Sequence, residues 1–520
     1  MKNYAILLLF TIVANMNGTT MAQSQNPKSQ YENFKQQARK QYDDFRTKAN
    51  QQYADFLSRV WRRYNGDAPI EKPKEKEIAP IEYDKKLYDK ERKDEAYRDD
   101  EGDMYYQQKG IRRKVAIRRG GKGKELIFDE VIRIPDQEPQ PTPISPIYEK
   151  DGITNTFTVK FFGLSCPLRF DSQNLISLQG LDELSVSAAW SRLSNNDYDN
   201  AIRDLLAIRI NQDLCDWSYL QLLNQTALQL YGSDCNESVL LTAWLYCQSG
   251  YKMRLAFDDK RLYMLYSSHH IIYDEAYFNI DGEYFYIFGD RKPETLYICD
   301  KAFPSEAPMS LLVGKEQKLG TLITESRKLV SKKYPFMSVL INENKTLMDF
   351  YSTYPTSKLG DNDVSRWAMY AYTPICKHTK EQLYPMMRNY IQGKTALEGV
   401  SMILDWVQTA FVYEYDDKVW GHDRAFFPDE TLYYPYCDCE DRSILFSRLV
   451  RDILSLDVAL IYYPGHLATA VCFNEDISGD AMLIDGRKFI ICDPTYIGAP
   501  VGAQMPNLDY DKAQAIVLNR

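Results

Sequence analysis

The run Tyr436-Cys-Asp-Cys-Glu-Asp-Arg-Ser-Ile-Leu-Phe-Ser-Arg-Leu-Val450 sets two thiols and three carboxylates against the start of an apolar helix pattern. Leu445, Leu449 and Ile453 recur every four residues, with Phe446, Val450 and Leu454 beside them, which predicts a largely buried helix. Glu440 and Asp441 fall where a first helical turn favours negative charge, so Cys439 stands at or just before the N-terminus. Free N–H groups and the helix dipole favour a thiolate there, and Cys439 is the candidate nucleophile. Cys437 lies two residues outside that field. A thiol nucleophile needs a base, and the base needs a group that orients it. The chain has only five histidines: His269, His270, His378, His422 and His466. His466 follows a Pro464-Gly465 turn and opens the strand pattern Leu467-Ala-Thr-Ala-Val-Cys-Phe473, and Asp493 closes the strand pattern Lys488-Phe-Ile-Ile-Cys492. On neighbouring antiparallel strands an opening residue can lie beside a closing one, which pairs His466 with Asp493.

Cys439-Glu-Asp with its helix, Pro464-Gly-His466 and Asp493-Pro-Thr resemble, in that order, the three motifs of the transglutaminase-like superfamily. They are most similar to those of bacterial transglutaminase-like cysteine proteinases, in which an Asp-Cys-Glu-Asp run marks the nucleophile. Trp406-Val-Gln-Thr-Ala-Phe-Val-Tyr413 and Phe427-Pro-Asp-Glu-Thr-Leu432 resemble the same group, so the likeness spans about 395–505. It implies an α+β, papain-like core with a Cys439, His466, Asp493 triad. One departure is that His466 is followed by Leu-Ala-Thr, without the aromatic residue often found just after the family histidine's alanine.

The implied chemistry is attack by Cys439 on a carboxamide or peptide carbonyl to form a thioester, with the oxyanion held by the Cys439 N–H and an upstream donor, for which Gln408 is the candidate. A protein or peptide is the expected substrate, with no cofactor and no metal. A zinc site is the rival chemistry, since Cys437, Cys439, His466 and Cys472 or Cys492 offer soft ligands, but cysteines one residue apart do not readily share one zinc. The rival class is a non-catalytic binding or scaffold protein that keeps the fold.

The elements that must position this set fall in the last third of the chain. At an offset of 204 residues, Ile280-Asp-Gly-Glu-Tyr-Phe-Tyr-Ile287 matches Ile484-Asp-Gly-Arg-Lys-Phe-Ile-Ile491, and Cys235, Leu241 and Leu245 match Cys439, Leu445 and Leu449. This predicts a duplicated domain: a degenerate copy over 151–300, a connecting region over 301–360 and a catalytic domain over 361–520. The degenerate site would comprise Cys235, His270 of the His269-His270 pair, and Asp281, with Asp290 the alternative acid.

The chain before 150 has a different character. Residues 1–22 read as a secretory signal peptide, with Lys2, an apolar run from Ala5 to Ala14 and Thr20-Met-Ala22 before the cut, which predicts export to the periplasm or cell exterior. Over 23–66 a period of eleven aligns Tyr31, Tyr42, Tyr53 and Tyr64, then Phe34, Phe45 and Phe56, then Ala38, Ala49 and Val60. Eleven residues make close to three helical turns, so these positions form one stripe that could pack on the body or on another copy. Over 67–150 the chain reads as a flexible linker: 33 of the 60 residues from 71 to 130 are charged, and a Pro-rich run follows from Gln137 to Pro146. Lys109 to Lys124 holds eight basic residues and no acid, a candidate contact for an anionic cell envelope. The overall charge of −9 gives no reason to expect nucleic-acid binding, and ten cysteines in 520 residues are too few for a disulfide scaffold.

Overall fold

Asp457–Tyr463 and His466–Cys472 are buried along nearly their whole length, as their unbroken small and apolar residues require of strands covered on both faces. They lie at the middle of an eight-stranded sheet in a computed structural model that describes residues 27–89, 115–120, 123–128, 131–134, 139–152, 155–195 and 197–518. The signal-peptide stretch 1–22 and residues 109–114 and 121–122 of the basic block lie outside the described residues. The chain is of mixed α and β character, with helices packed on two separate sheets.

The first sheet runs Arg62–Asn65, Thr295–Ile298, Met253–Phe257, Leu262–Ser267, Glu283–Ile287, Tyr277–Ile280, antiparallel throughout. In the larger sheet, Gln514–Leu518, Asp457–Tyr463, His466–Cys472, Arg487–Cys492 and Ala481–Ile484 follow one another in the same order, again antiparallel. The strands starting at Met253, Leu262 and Glu283 begin 204 residues before those starting at Asp457, His466 and Arg487. Asn236–Gln248 packs on the first sheet as Cys439–Leu454 packs on the second. One apolar core joins the halves, running from Tyr53 and Trp190 through Leu347 and Phe350 to Cys439, Leu460 and Ile516. Residues of the 301–360 stretch, among them Leu311, Val313 and Phe350, are therefore core rather than a bare connection.

The eleven-residue stripe is helical only in part. The helix is Pro27–Leu57, and Tyr64 belongs to an edge strand of the first sheet. Ala49, Tyr53 and Ala54 are buried against the Glu183–Leu193 helix, where Asn50 bonds to Gln248 at 3.1 Å and accepts from Trp190 Nε1 at 3.2 Å. Tyr31, Phe34, Tyr42 and Phe45 remain exposed.

The charge-dense segment is not free along its described length. Val115–Gly120 and Gly123–Phe128 form a hairpin that extends the larger sheet, with Gly123–Phe128 parallel to Ala481–Ile484 and Leu126 and Phe128 buried. Ile132–Arg133 caps the other edge. Residues 66–83 run along both halves by backbone hydrogen bonds, from Gly66 N to Glu294 O at 2.8 Å to Tyr83 N to Ile497 O at 2.9 Å. By composition alone this stretch would have to bury a core of its own. Pairing with edges that the rest of the chain supplies removes that requirement.

Candidate active site

Cys439 is the first residue of the Cys439–Leu454 helix, His466 the first of its strand, and Asp493 follows directly on Arg487–Cys492. The strand pairing runs Thr469 to Cys492, which brings the start of one strand to the end of the other. His466 Nε2 and Asp493 Oδ2 are 2.9 Å apart, and both side chains are buried. Asp493 Oδ1 accepts the N–H groups of Thr495 at 2.9 Å and Tyr496 at 3.1 Å, so the carboxylate is fixed from both sides. Burial alone would raise its pKa, but the His466 ring and the Thr495 contacts outweigh it and hold the carboxyl below the usual range. The Tyr463 ring stacks near the imidazole, with centroids 6.4 Å apart. His466 Nδ1 is buried and has no hydrogen-bond partner among the described residues.

The helix that carries Cys439 is tied to the strand that carries His466. Ser443 donates to Leu467 O at 2.8 Å, and the Leu467 N–H acts on the Cys439 thiol. Cys439 Sγ itself donates to Glu440 Oε2 at 3.2 Å. The helix N-terminus was expected to lower this thiol's pKa. Burial, then Glu440 and Asp438, instead push it well above its ordinary value, and the Leu467 N–H only partly offsets them. The dipole's fractional charge is outweighed by loss of water and nearby full charges.

Gln408 has a role different from the one the sequence suggests. Its Nε2 donates to the carbonyls of Asp493 at 2.9 Å, Tyr496 at 2.8 Å and Ala499 at 3.3 Å, and its Oε1 accepts the Gly498 N–H at 3.1 Å. A fully engaged amide cannot serve as an oxyanion donor; it positions the loop that carries Asp493. Replacing Gln408 with leucine leaves those carbonyls without a donor. It is expected to destabilise the fold by about 2–4 kcal/mol, measured by denaturant unfolding, and to loosen Asp493.

Cys437 is not placed for catalysis. Arg442 Nε donates to its Sγ at 3.4 Å while the guanidinium also holds Gln408 O and Phe411 O at 3.1 Å each. The soft zinc set does not assemble: Cys472 closes the strand that His466 opens and receives Arg487 NH2 at 3.2 Å. Among the described residues, Glu343, Cys376 and Asp429 form one group that could hold a cation, and the others lie around Cys439. Asp416, Asp423 and Glu440 lie within 4.8 Å of one another, as do Asp416, Asp438 and Asp441, an oxygen-rich set of the type that suits a hard divalent cation.

In the first half, the predicted residues do not converge. Asn236, beside Cys235, accepts the Leu262 N–H at 3.0 Å and so marks one end of the Leu262–Ser267 strand, whereas His270 lies beyond the other end. His270 is buried with Nδ1 3.2 Å from Met369 Sδ, in a short strand paired with Ser357–Leu359. Asp281 is an exposed residue of the hairpin between Tyr277–Ile280 and Glu283–Ile287, at a φ of 53°, and Asp290 is exposed as well. At the 204-residue offset, Leu262 stands where His466 does and Gly289 where Asp493 does. Order along the chain pointed to the histidine doublet, while the offset already pointed to Leu262.

Glu77, 362 residues before Cys439 and without a motif around it, also reaches the site. Its Oε2 accepts from Tyr413 OH at 3.4 Å. Burial, then Glu440 and Asp423, raise its pKa to about 7; Asp417 adds to this and Tyr413 opposes it. Asp416 is raised to about 8 by burial and then Glu440, and Glu430 to about 7 by burial against the opposing Arg424. Acids raised in the folded state bind protons that the unfolded chain has released, so their stabilising contribution is lost as pH climbs through the folded values. The thermal midpoint is therefore expected to fall between about pH 5 and pH 8, with Glu77→Gln flattening part of the fall.

No protein-family model matches the chain, and no curated protein matches it.

Proposed function

We propose that the chain is an exported, cysteine-dependent acyl-transfer enzyme of the transglutaminase-like type, hydrolysing amide bonds of protein or peptide substrates. The observation that carries this reading is the buried His466–Asp493 pair, which leaves His466 Nδ1 open beside the strand start that contacts Cys439. Rotation of the Cys439 side chain away from Glu440 gives its proton to Nδ1 as Sγ attacks the substrate carbonyl carbon. The Cys439 N–H, which has no acceptor within its own helix, stabilises the oxyanion. Collapse breaks the C–N bond, and the amine leaves with the proton from His466. Water then gives His466 a proton, adds to the thioester and releases Cys439. Asp493 keeps Nε2 protonated throughout. An amine in place of water gives transamidation, and amine incorporation into casein separates the two.

The first half belongs to the same proposal as a duplicated domain that has lost its base and acid. The shared strand order and the common offset support this. The test is labelling with a thiol-directed, activity-based probe. Wild-type protein should be modified at Cys439, and His466→Ala should be modified far more slowly. Equal labelling of the two would reject the enzyme and leave a scaffold that keeps the fold.

A further inference from the structure

Residues 72–83 cross the site where a substrate would have to lie. Ile78 N–H donates to Gly465 O at 2.8 Å, and the Glu75 carboxylate accepts the Gly465 N–H at 2.7 Å and Tyr462 OH at 2.6 Å. Gly465 is the residue before His466. It has a φ of 77°, and a Cβ there would lie 2.2 Å from Lys76 O, so the crossing chain rests directly on it. Further on, Tyr83 N–H donates to Ile497 O at 2.9 Å and Ile497 N–H to Ile81 O at 3.0 Å, four residues past Asp493. Upstream, Lys72 Nζ meets Asp423 at 2.8 Å. Between these anchors Glu77 faces Tyr413, Glu440 and Cys439, and Cys439 is 3% exposed. Ile78, Ile81 and Tyr83 pack on the core of the larger sheet.

We propose that residues 72–83 are an internal occupant of the substrate groove, which a substrate must displace and which therefore slows the enzyme, and that the groove receives an extended peptide by backbone pairing. The proposal rests on the acyl-transfer reading for what the groove is used for, but not for its occupancy. Two features support it. Three of the contacts are main-chain bonds, one to Gly465 beside His466 and two to Ile497 four residues past Asp493, the kind an added strand makes without regard to most side chains. The segment is also fastened at both ends but poorly matched in its middle, where the Glu77 carboxyl stands among Glu440, Asp423 and Asp417. A peptide without that acid would compete well for the groove. Just past the C-terminal anchor Tyr88 donates to Asp480 Oδ2 at 2.6 Å, so displacement requires only the 72–83 stretch to lift.

The test measures the rate of alkylation of Cys439 by iodoacetamide in the full chain, mapped by peptide mass spectrometry. Glu75→Ala removes the carboxylate that holds Gly465 and Tyr462, and Ile78→Pro removes the N–H given to Gly465 O. Each is expected to raise the Cys439 rate about tenfold or more, and hydrogen exchange of residues 72–83 should rise in parallel. Lys74→Ala, at an exposed position of the same stretch, should leave the rate unchanged. Unchanged Cys439 rates in both loosening variants would overturn the proposal. So would a rate that rises equally at the buried Cys376 and Cys492, since that reports unfolding. Faster alkylation without any amide hydrolysis upholds the occupied groove and rejects the acyl-transfer reading. Hydrolysis by wild type with no acceleration in the variants does the reverse.

Discussion

Cys439→Ala is expected to lower amide hydrolysis by about four orders of magnitude or more, while Cys235→Ala retains wild-type rates within about a factor of two. Release of new amino groups from a denatured protein substrate measures both. The contrast follows from position. Each cysteine stands at the start of a helix packed on a sheet, but only Cys439 faces a strand that opens with histidine. At the corresponding place Asn236, the residue after Cys235, meets the Leu262 end of its strand, where leucine stands in place of a base. A thiol whose pKa is raised by burial, Glu440 and Asp438 is inert by itself near neutral pH, so its reactivity depends on transfer to His466. Cys439→Ser, which keeps the shape and removes the sulfur, should be as inactive as alanine.

Asp493→Asn is expected to cost about 10³–10⁴ in kcat with KM changed only a few-fold. The Oδ1 position of Asp493 must accept two N–H groups, from Thr495 and Tyr496, so an asparagine will place its carbonyl there. Its NH2 then points at His466 Nε2, which must turn from donor to acceptor. The proton moves to Nδ1, the atom that has to accept it from Cys439, and the base is lost although every heavy atom stays in place. Steady-state kinetics on the variant read the kcat and KM components separately. A large KM effect with kcat preserved would place Asp493 in substrate binding instead.

The triad candidates were legible because each sits at an element boundary, where helix periodicity, a Pro-Gly turn and an Asp-Pro turn mark the sequence locally. Gln408 was not, because its role lies in three carbonyls 85 to 91 residues away. A polar residue on an amphipathic helix looks the same whether it faces solvent or staples a distant loop. The placement of residues 72–83 is hidden in the sequence for a related reason. Counting charges tests whether a segment can bury a core of its own, and this one lies across a turn and a loop already built, with Ile78, Ile81 and Tyr83 as its few apolar anchors. In the first half the 204-residue offset sets Leu262 and Gly289 opposite His466 and Asp493, whereas the His269-His270 doublet lies seven residues further along. The N-terminal repeat identified a helix correctly, but the period continues through Val60 and Tyr64 after the helix has ended at Leu57.

Rapid-quench mass spectrometry of the protein mixed with a glutamine-containing peptide tests the central claim most directly. The account predicts a transient mass increase equal to the acyl part of the peptide, located on the peptide fragment that contains Cys439, absent in Cys439→Ala and decaying as product forms. Turnover without an adduct on Cys439, or an adduct that forms instead on Cys235 or Cys437, would contradict it.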